Sequence, residues 1–165
     1  ILVYQQKKSH CSLMIFIGGW IYLMKNKFLI YLCGGMTGLS HEEQNNWRSY
    51  LKAALEEIHH SAYCYNPVDY FTVEEVNEGG EDVQRRAMNL DLYKLRSSSL
   101  VICNFNNPNS LGTMAELAIA HDRGIPIVGL NINHKKLHPW SELMCETILD
   151  SIEDLILYIS KMYFK

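Results

Sequence analysis

Glu116 is the residue in this chain whose type and setting most suggest chemistry. Upstream of it, an apolar run over residues 100–105 breaks into a polar loop of Asn, Pro and Ser. Gly112-Thr113 then opens an apolar-periodic helix continued by Leu117, Ala120 and His121. A carboxylate near a helix N-terminus sits in a positive field that keeps it ionised. An ionised carboxylate at the mouth of a cleft is a candidate nucleophile. The plainer alternative is that it only complements the helix dipole, since acidic residues are common in first turns. Asp91 is the second candidate. It lies beside the apolar stripe of Val83, Ala87, Leu90 and Leu95 on a helix expected over residues 81–98. A charge near a buried face is costly unless it is paired or functional, and Arg86 and Arg96 are available as partners. Gly34-Gly35-Met36-Thr37-Gly38 directly follows an apolar strand, where glycines permit a tight turn and close approach of a ligand. This is not a GxGxxG fingerprint.

Other reactive residue types carry less. His134 and His138 are four residues apart, but Pro139 and the polar surroundings argue against a helix there, and no carboxylate stands at ligand spacing. No metal site is expected. The five cysteines (Cys11, Cys33, Cys64, Cys103 and Cys145) are widely spaced with no CxxC pair. Reduced thiols in a cytoplasmic protein are expected, with Cys33 and Cys103 acting as small buried hydrophobes.

The elements that must position these groups follow a βα alternation. Strands are expected over residues 28–33, 62–65, 100–105 and 125–130, each an apolar run ending in a polar or glycine-rich loop. Ser40-His-Glu-Glu43 is a capping box for a helix to about residue 60, with Trp47, Tyr50, Leu51, Ala54, Leu55 and Ile58 as its apolar face. Trp47 and Tyr50 are assigned to the core. Residues 67–80, with Asp69, Tyr70, Phe71 and Gly79-Gly80, form a long polar connection expected to act as a lid. A final amphipathic helix is expected over residues 140–164, with Leu143, Ile148, Ile152, Leu155 and Ile159 on its inner side. The pattern predicts an α/β fold: a single doubly wound, flavodoxin- or Rossmann-like parallel sheet of four to five strands, with helices on both faces. Four loops converge at the C-terminal edge of that sheet, where such folds bind ligands.

The chain's 165 residues suffice for one domain. A net charge of -3 excludes a strongly basic surface, so neither nucleic acid nor an acidic membrane is an expected partner. Residues 1–23 contain an apolar run behind Lys7-Lys8 but no small-residue cleavage site. They are expected to be a non-native or upstream leader outside the fold, with Met24 as the start of a domain over residues 24–165. The run is too short to span a bilayer.

Four segments resemble the nucleoside 2-deoxyribosyltransferase family, which includes 2'-deoxynucleoside 5'-monophosphate N-hydrolases. They are Ile30-Tyr-Leu-Cys-Gly-Gly-Met-Thr-Gly38, Tyr65-Asn-Pro-Val-Asp69, Asn89-Leu-Asp-Leu92 and Ser110-Leu-Gly-Thr-Met-Ala-Glu116. The resemblance implies that Glu116 is the nucleophile, Asp91 the acid serving the leaving base, and Tyr31 the tyrosine that positions the nucleophile. It implies a substrate site that includes Gly34, Gly35, Thr37, Asn66, Asp69, Ser110, Gly112 and Asn131. It implies no cofactor, a small nucleoside or nucleotide substrate, and a homodimer or dimer-based oligomer with a shared site, completed across subunits by the loop at residues 131–140. The chemistry agrees: N-glycosidic cleavage passes through an oxocarbenium-like state that two carboxylates handle, one ionised and one delivering a proton. Family transferases carry Asp where this chain has Ser110, a place where the hydrolases often have Ser. The hydrolases' first loop carries Arg where this chain has Thr37, leaving Arg48, Arg85 and Arg86 as candidate phosphate contacts. Deoxyribosyl transfer is therefore expected, with monophosphate hydrolysis as the alternative. A non-catalytic nucleotide sensor and an enzyme cleaving NAD-like dinucleotides are further alternatives.

Overall fold

The computed structural model describes residues 27–164, together with the backbone of two short strands at residues 13–17 and 20–24. Those strands, Leu13–Ile17 (β1) and Trp20–Met24 (β2), pair antiparallel as a ladder of their own. Residues 1–12 of the expected leader, Cys11 among them, lie outside the described residues.

Phe28–Gly34 (β3), Ala62–Tyr65 (β4), Leu100–Asn104 (β5), Ile127–Leu130 (β6) and Thr147–Leu149 (β7) form one parallel sheet in the order β4-β3-β5-β6-β7. Among these five strands, the first, β3, lies between the second and the third. The order is therefore flavodoxin-like, and its direction reverses between β3 and β5. Side chains alternate across each strand, so β3 sends Ile30 and Leu32 to one face and Tyr31 and Cys33 to the other. The first face is covered by His41–Ile58 (α1) and Ile152–Tyr163 (α6), through Trp47, Leu51, Leu55, Leu155 and Ile159. The second is covered by Gly80–Arg96 (α3) and Leu111–Asp122 (α4), through Ala87, Leu95, Leu117 and Ala120. Leu51 and Leu55 are fully buried, and truncating either to Ala should cost about 3 kcal/mol.

The capping box at Ser40 and Glu43 forms, with the hydroxyl accepting from the Glu43 N–H and the carboxylate from the Ser40 N–H. Of the expected apolar face, Trp47, Leu51 and Leu55, at four-residue spacing, are buried, whereas Tyr50 and Ile58 are more than half exposed, so the assignment of Tyr50 to the core is corrected. Residues 67–80, the expected polar connection, carry short elements of their own. They fold as a short 3-10 turn, Pro67–Asp69, and a capped helix, Val73–Glu78 (α2). The expected final helix is three elements: Pro139–Met144 (α5), the edge strand β7 and α6. The break has a local cause: Cys145 is extended, Thr147 and Ile148 are β-branched, and the Ser151 hydroxyl caps α6 by accepting from the Asp154 N–H. Leu143 consequently points to solvent.

Candidate active site

At the C-terminal edge of the sheet, above the paired ends of β3 and β5, lies a cleft of about 450 Å³. Gly34, Met36 and Thr37 line it from the loop after β3, Asn107, Asn109 and Ser110 from the loop after β5, Asp91 from α3, and Gly112 and Glu116 from α4.

Tyr31 and Cys33 stand two apart on β3, so both project toward α4. The Tyr31 phenol donates to Glu116 Oε1 at 2.6 Å, and the Cys33 thiol donates to Glu116 Oε2 at 3.0 Å. Both oxygens of one carboxylate are thus held by a single strand. α4 begins at Leu111, with the Ser110 hydroxyl accepting from the Thr113 N–H. Glu116 therefore sits in the second turn, and the expectation that the helix terminus sets its charge is corrected. Burial pushes its carboxyl above the ordinary range, helped by the nearby Asp91 charge; the bonds from Tyr31 and Cys33 and the Arg48 cation pull it back. The Tyr31 phenol is pushed well up, first by burial and then by Glu116.

Ala87, Asp91 and Leu95 form a stripe at four-residue spacing on α3, which carries Asp91 to the sheet. It pairs with neither Arg86 nor Arg96. The Tyr65 phenol, at the end of β4, donates to Asp91 Oδ1 at 2.8 Å. Burial raises the Asp91 carboxyl, opposed by the Tyr65 bond and Arg48. The rings of Tyr31 and Tyr65, in register across β3 and β4, stack with centroids 5.5 Å apart. Each carboxylate thus has a tyrosine, and the tyrosines touch.

Arg48, fully buried on α1, is spent on the backbone. It donates from Nε to the Leu32 carbonyl at 3.1 Å, from Nη2 to the Gly34 carbonyl at 2.8 Å, and from Nη1 to the Gln44 carbonyl. It ties the end of β3 to α1 and places a cation beneath both carboxylates. It is not an open phosphate contact, and Arg85 is paired with Glu81. Packing alone calls for these glycines: a Cβ on Gly35 would stand 2.6 Å from the Asn107 Cβ, and one on Gly34 3.0 Å from the Trp47 ring. The Gly35 N–H donates to the Asn106 side-chain oxygen at 3.2 Å, joining the two loops.

Of the residues singled out from sequence, Glu116, Asp91, Gly34, Thr37, Ser110 and Gly112 line the cleft. Tyr31 supports it from below and Gly35 from beside. Asn66, Asp69 and Asn131 do not line it. The Asn66 amide donates to Asn45 and Asp69, and its oxygen accepts from the Val68 N–H. Asp69 is bonded to Lys52 at 2.5 Å. The Asn131 side chain both donates to and accepts from the Lys135 backbone, closing its own loop. Sequence reasoning passed over Tyr65 as a site residue and read Cys33 only as a small buried hydrophobe, whereas its thiol reaches Glu116. Strand alternation is the signal that would have found Cys33, two residues beyond Tyr31. The Thr113 hydroxyl, nearly inaccessible at the start of α4, has no partner among the described residues and lies in the cleft lining. His134 and His138 lie in a loop, and His138 caps α5.

The family model for nucleoside 2-deoxyribosyltransferase matches residues 30–154. Among solved structures, a 2-deoxyribosyltransferase from Bacillus psychrosaccharolyticus superposes with TM-score 0.64 at 16% identity, covering 78% of this chain and 90% of that one. A conserved protein from Enterococcus faecalis gives 0.67 at 17% identity, covering 82% and 98%. A CMP N-glycosidase from Clostridium botulinum gives 0.52 at 14% identity, covering 80% and 98%. No curated protein matches the chain by sequence. No helix among the described residues is long and apolar enough to cross a membrane.

Proposed function

Because the chain belongs to the nucleoside 2-deoxyribosyltransferase family, we propose that it is an N-glycosyl-bond enzyme that moves 2-deoxyribose from one base to another through a covalent link to Glu116. The observation that carries this reading is the pair of tyrosine-held carboxylates in one cleft. A Glu116 oxygen attacks the anomeric carbon as the bond to the base breaks. The bonding electrons leave with the base, which takes a proton from Asp91. The incoming base then attacks the same carbon, releasing the Glu116 carboxylate and returning a proton to Asp91. Burial suits Asp91, raising it toward a proton-holding form; on Glu116 the same push is opposed by the Tyr31 and Cys33 bonds and the Arg48 cation, and the desolvated cleft strengthens its charge interaction with the oxocarbenium-like state.

One observation favours a second reading, hydrolysis of a deoxynucleoside 5'-monophosphate. Ser110, Gly112 and the unpartnered Thr113 hydroxyl gather at the N-terminus of α4, a setting that suits an anionic group. Water then replaces the acceptor base. A second copy of the chain is proposed to cover the cleft's flank, where Leu111, Trp140 and Leu143 are largely exposed.

The test is a product assay on deoxynucleosides and their 5'-monophosphates, each with and without a second free base. A new deoxynucleoside that forms only with the acceptor marks transfer, whereas free base released from monophosphates alone marks hydrolysis. Glu116→Ala should lower either by about a thousandfold or more. Products independent of Glu116, or none on any substrate, overturn the reading.

A further inference from the structure

We propose that Cys33 is a positioning residue for the reacting carboxylate, a weak donor that fixes Glu116 Oε2 in place while leaving it its charge. The proposal rests on the reading of Glu116 as nucleophile. A carboxylate held at one oxygen still swings about that bond. Held at both, it has one plane and one approach to the sugar, and orientation of this kind is a large part of catalysis. The two donors are unequal. The Tyr31 phenol at 2.6 Å makes a short, charge-assisted bond to Oε1. A thiol is a weak donor, so at 3.0 Å it restrains Oε2 without drawing off much electron density.

The surroundings keep the thiol in its donor form. Cys33 is 1% exposed, and its partner in register on β5 is Cys103. Contact with Cys103 and burial both push the Cys33 thiol well up, so it stays protonated. The ionisable groups that face Glu116 are Tyr31 and Cys33 from β3, Asp91 from α3 and Arg48 from α1, with Cys103 on β5 behind the thiol. Arg48 and Asp91 act on Glu116 through charge alone; Tyr31 and Cys33 donate to it directly. A filler cysteine would meet only apolar neighbours on this face, where Val101, Leu117 and Ala120 are available.

The test is the pH dependence of kcat/KM in Cys33→Ala and Cys33→Ser, with Glu116→Ala as control. The acidic limb reports ionisation of the nucleophile. Removing a donor raises the pKa of Glu116, so Cys33→Ala should move that limb up by about half a unit and lower kcat/KM about fivefold. A hydroxyl donates more strongly, so Cys33→Ser should move the limb down, with the loss falling on kcat rather than KM. A side chain that only fills space predicts no opposed shifts. A second measurement needs no change at Cys33: the infrared S–H stretching band should shift between the native protein and Glu116→Gln. Limbs that stay put or move together, or S–H bands indifferent to Glu116→Gln, overturn the proposal while leaving the nucleophile in place. Turnover retained by Glu116→Ala removes the nucleophile reading and this proposal with it.

Discussion

Glu116 and Asp91 face the same cleft, and both carboxyls are raised by burial, yet they are held differently. Glu116 is gripped at both oxygens by Tyr31 and Cys33. Asp91 is gripped at one, by Tyr65. The difference matches two kinds of work. A group that must present charge to a carbon at fixed distance gains from two restraints, whereas one that must take up and release a proton needs an oxygen free for it.

The sharpest break of this contrast is Glu116→Gln, which keeps the shape and removes the charge; turnover should fall about a thousandfold or more in steady-state assays. Asp91→Asn should cost about a hundredfold on substrates whose departing base needs a proton, and much less where the base leaves unaided. An equal loss on every substrate would reduce Asp91 to a structural group. Tyr65→Phe should be milder, a loss of about fivefold. It removes a bond that lowers the Asp91 pKa, so the carboxyl holds its proton longer and the basic limb of the pH–rate profile moves up; a limb that moves down refutes the donor role. The smallest effect concerns stability. The folded protein raises the Glu116 pKa above its ordinary 4.5, so ionisation penalises the fold. That penalty is absent well below the unfolded value, grows as pH rises through the folded value, and is complete above it. Glu116→Gln should therefore melt higher at neutral pH, a gain that shrinks on acidification. Thermal melts at several pH values will show whether it does.

The sheet was legible because its strands are unbroken apolar runs closed by glycine or polar loops, and because α1 carries its own capping box. The seam between α5, β7 and α6 was not, since a three-residue edge strand with half-buried side chains leaves no periodic trace. In the site, Asp91 stood out as a charge beside an apolar stripe and Glu116 as a carboxylate near the start of a helix that follows a polar loop, and both line the cleft. Asn66, Asp69 and Asn131 misled because loop amides and carboxylates serve the backbone and each other as readily as a ligand. Tyr65 escaped notice because its partner belongs to another element; nothing in the local sequence says that α3 delivers Asp91 to the end of β4.

The two grips also differ in how much chain they enclose. The Tyr65–Asp91 bond closes 26 residues, whereas the bonds from Tyr31 and Cys33 to Glu116 close 85 and 83. Closing the longer loop costs about 1 kcal/mol more in chain entropy. On a ribosome, Tyr65 and Asp91, the pair proposed to handle the proton, are both made before Glu116, the proposed nucleophile. A nascent chain that has emerged only through β5 holds a tyrosine and a thiol with nothing to grip. On the proposed mechanism, catalysis switches on only once α4 has docked, and the appearance of activity during synthesis or refolding would mark the arrival of native long-range order.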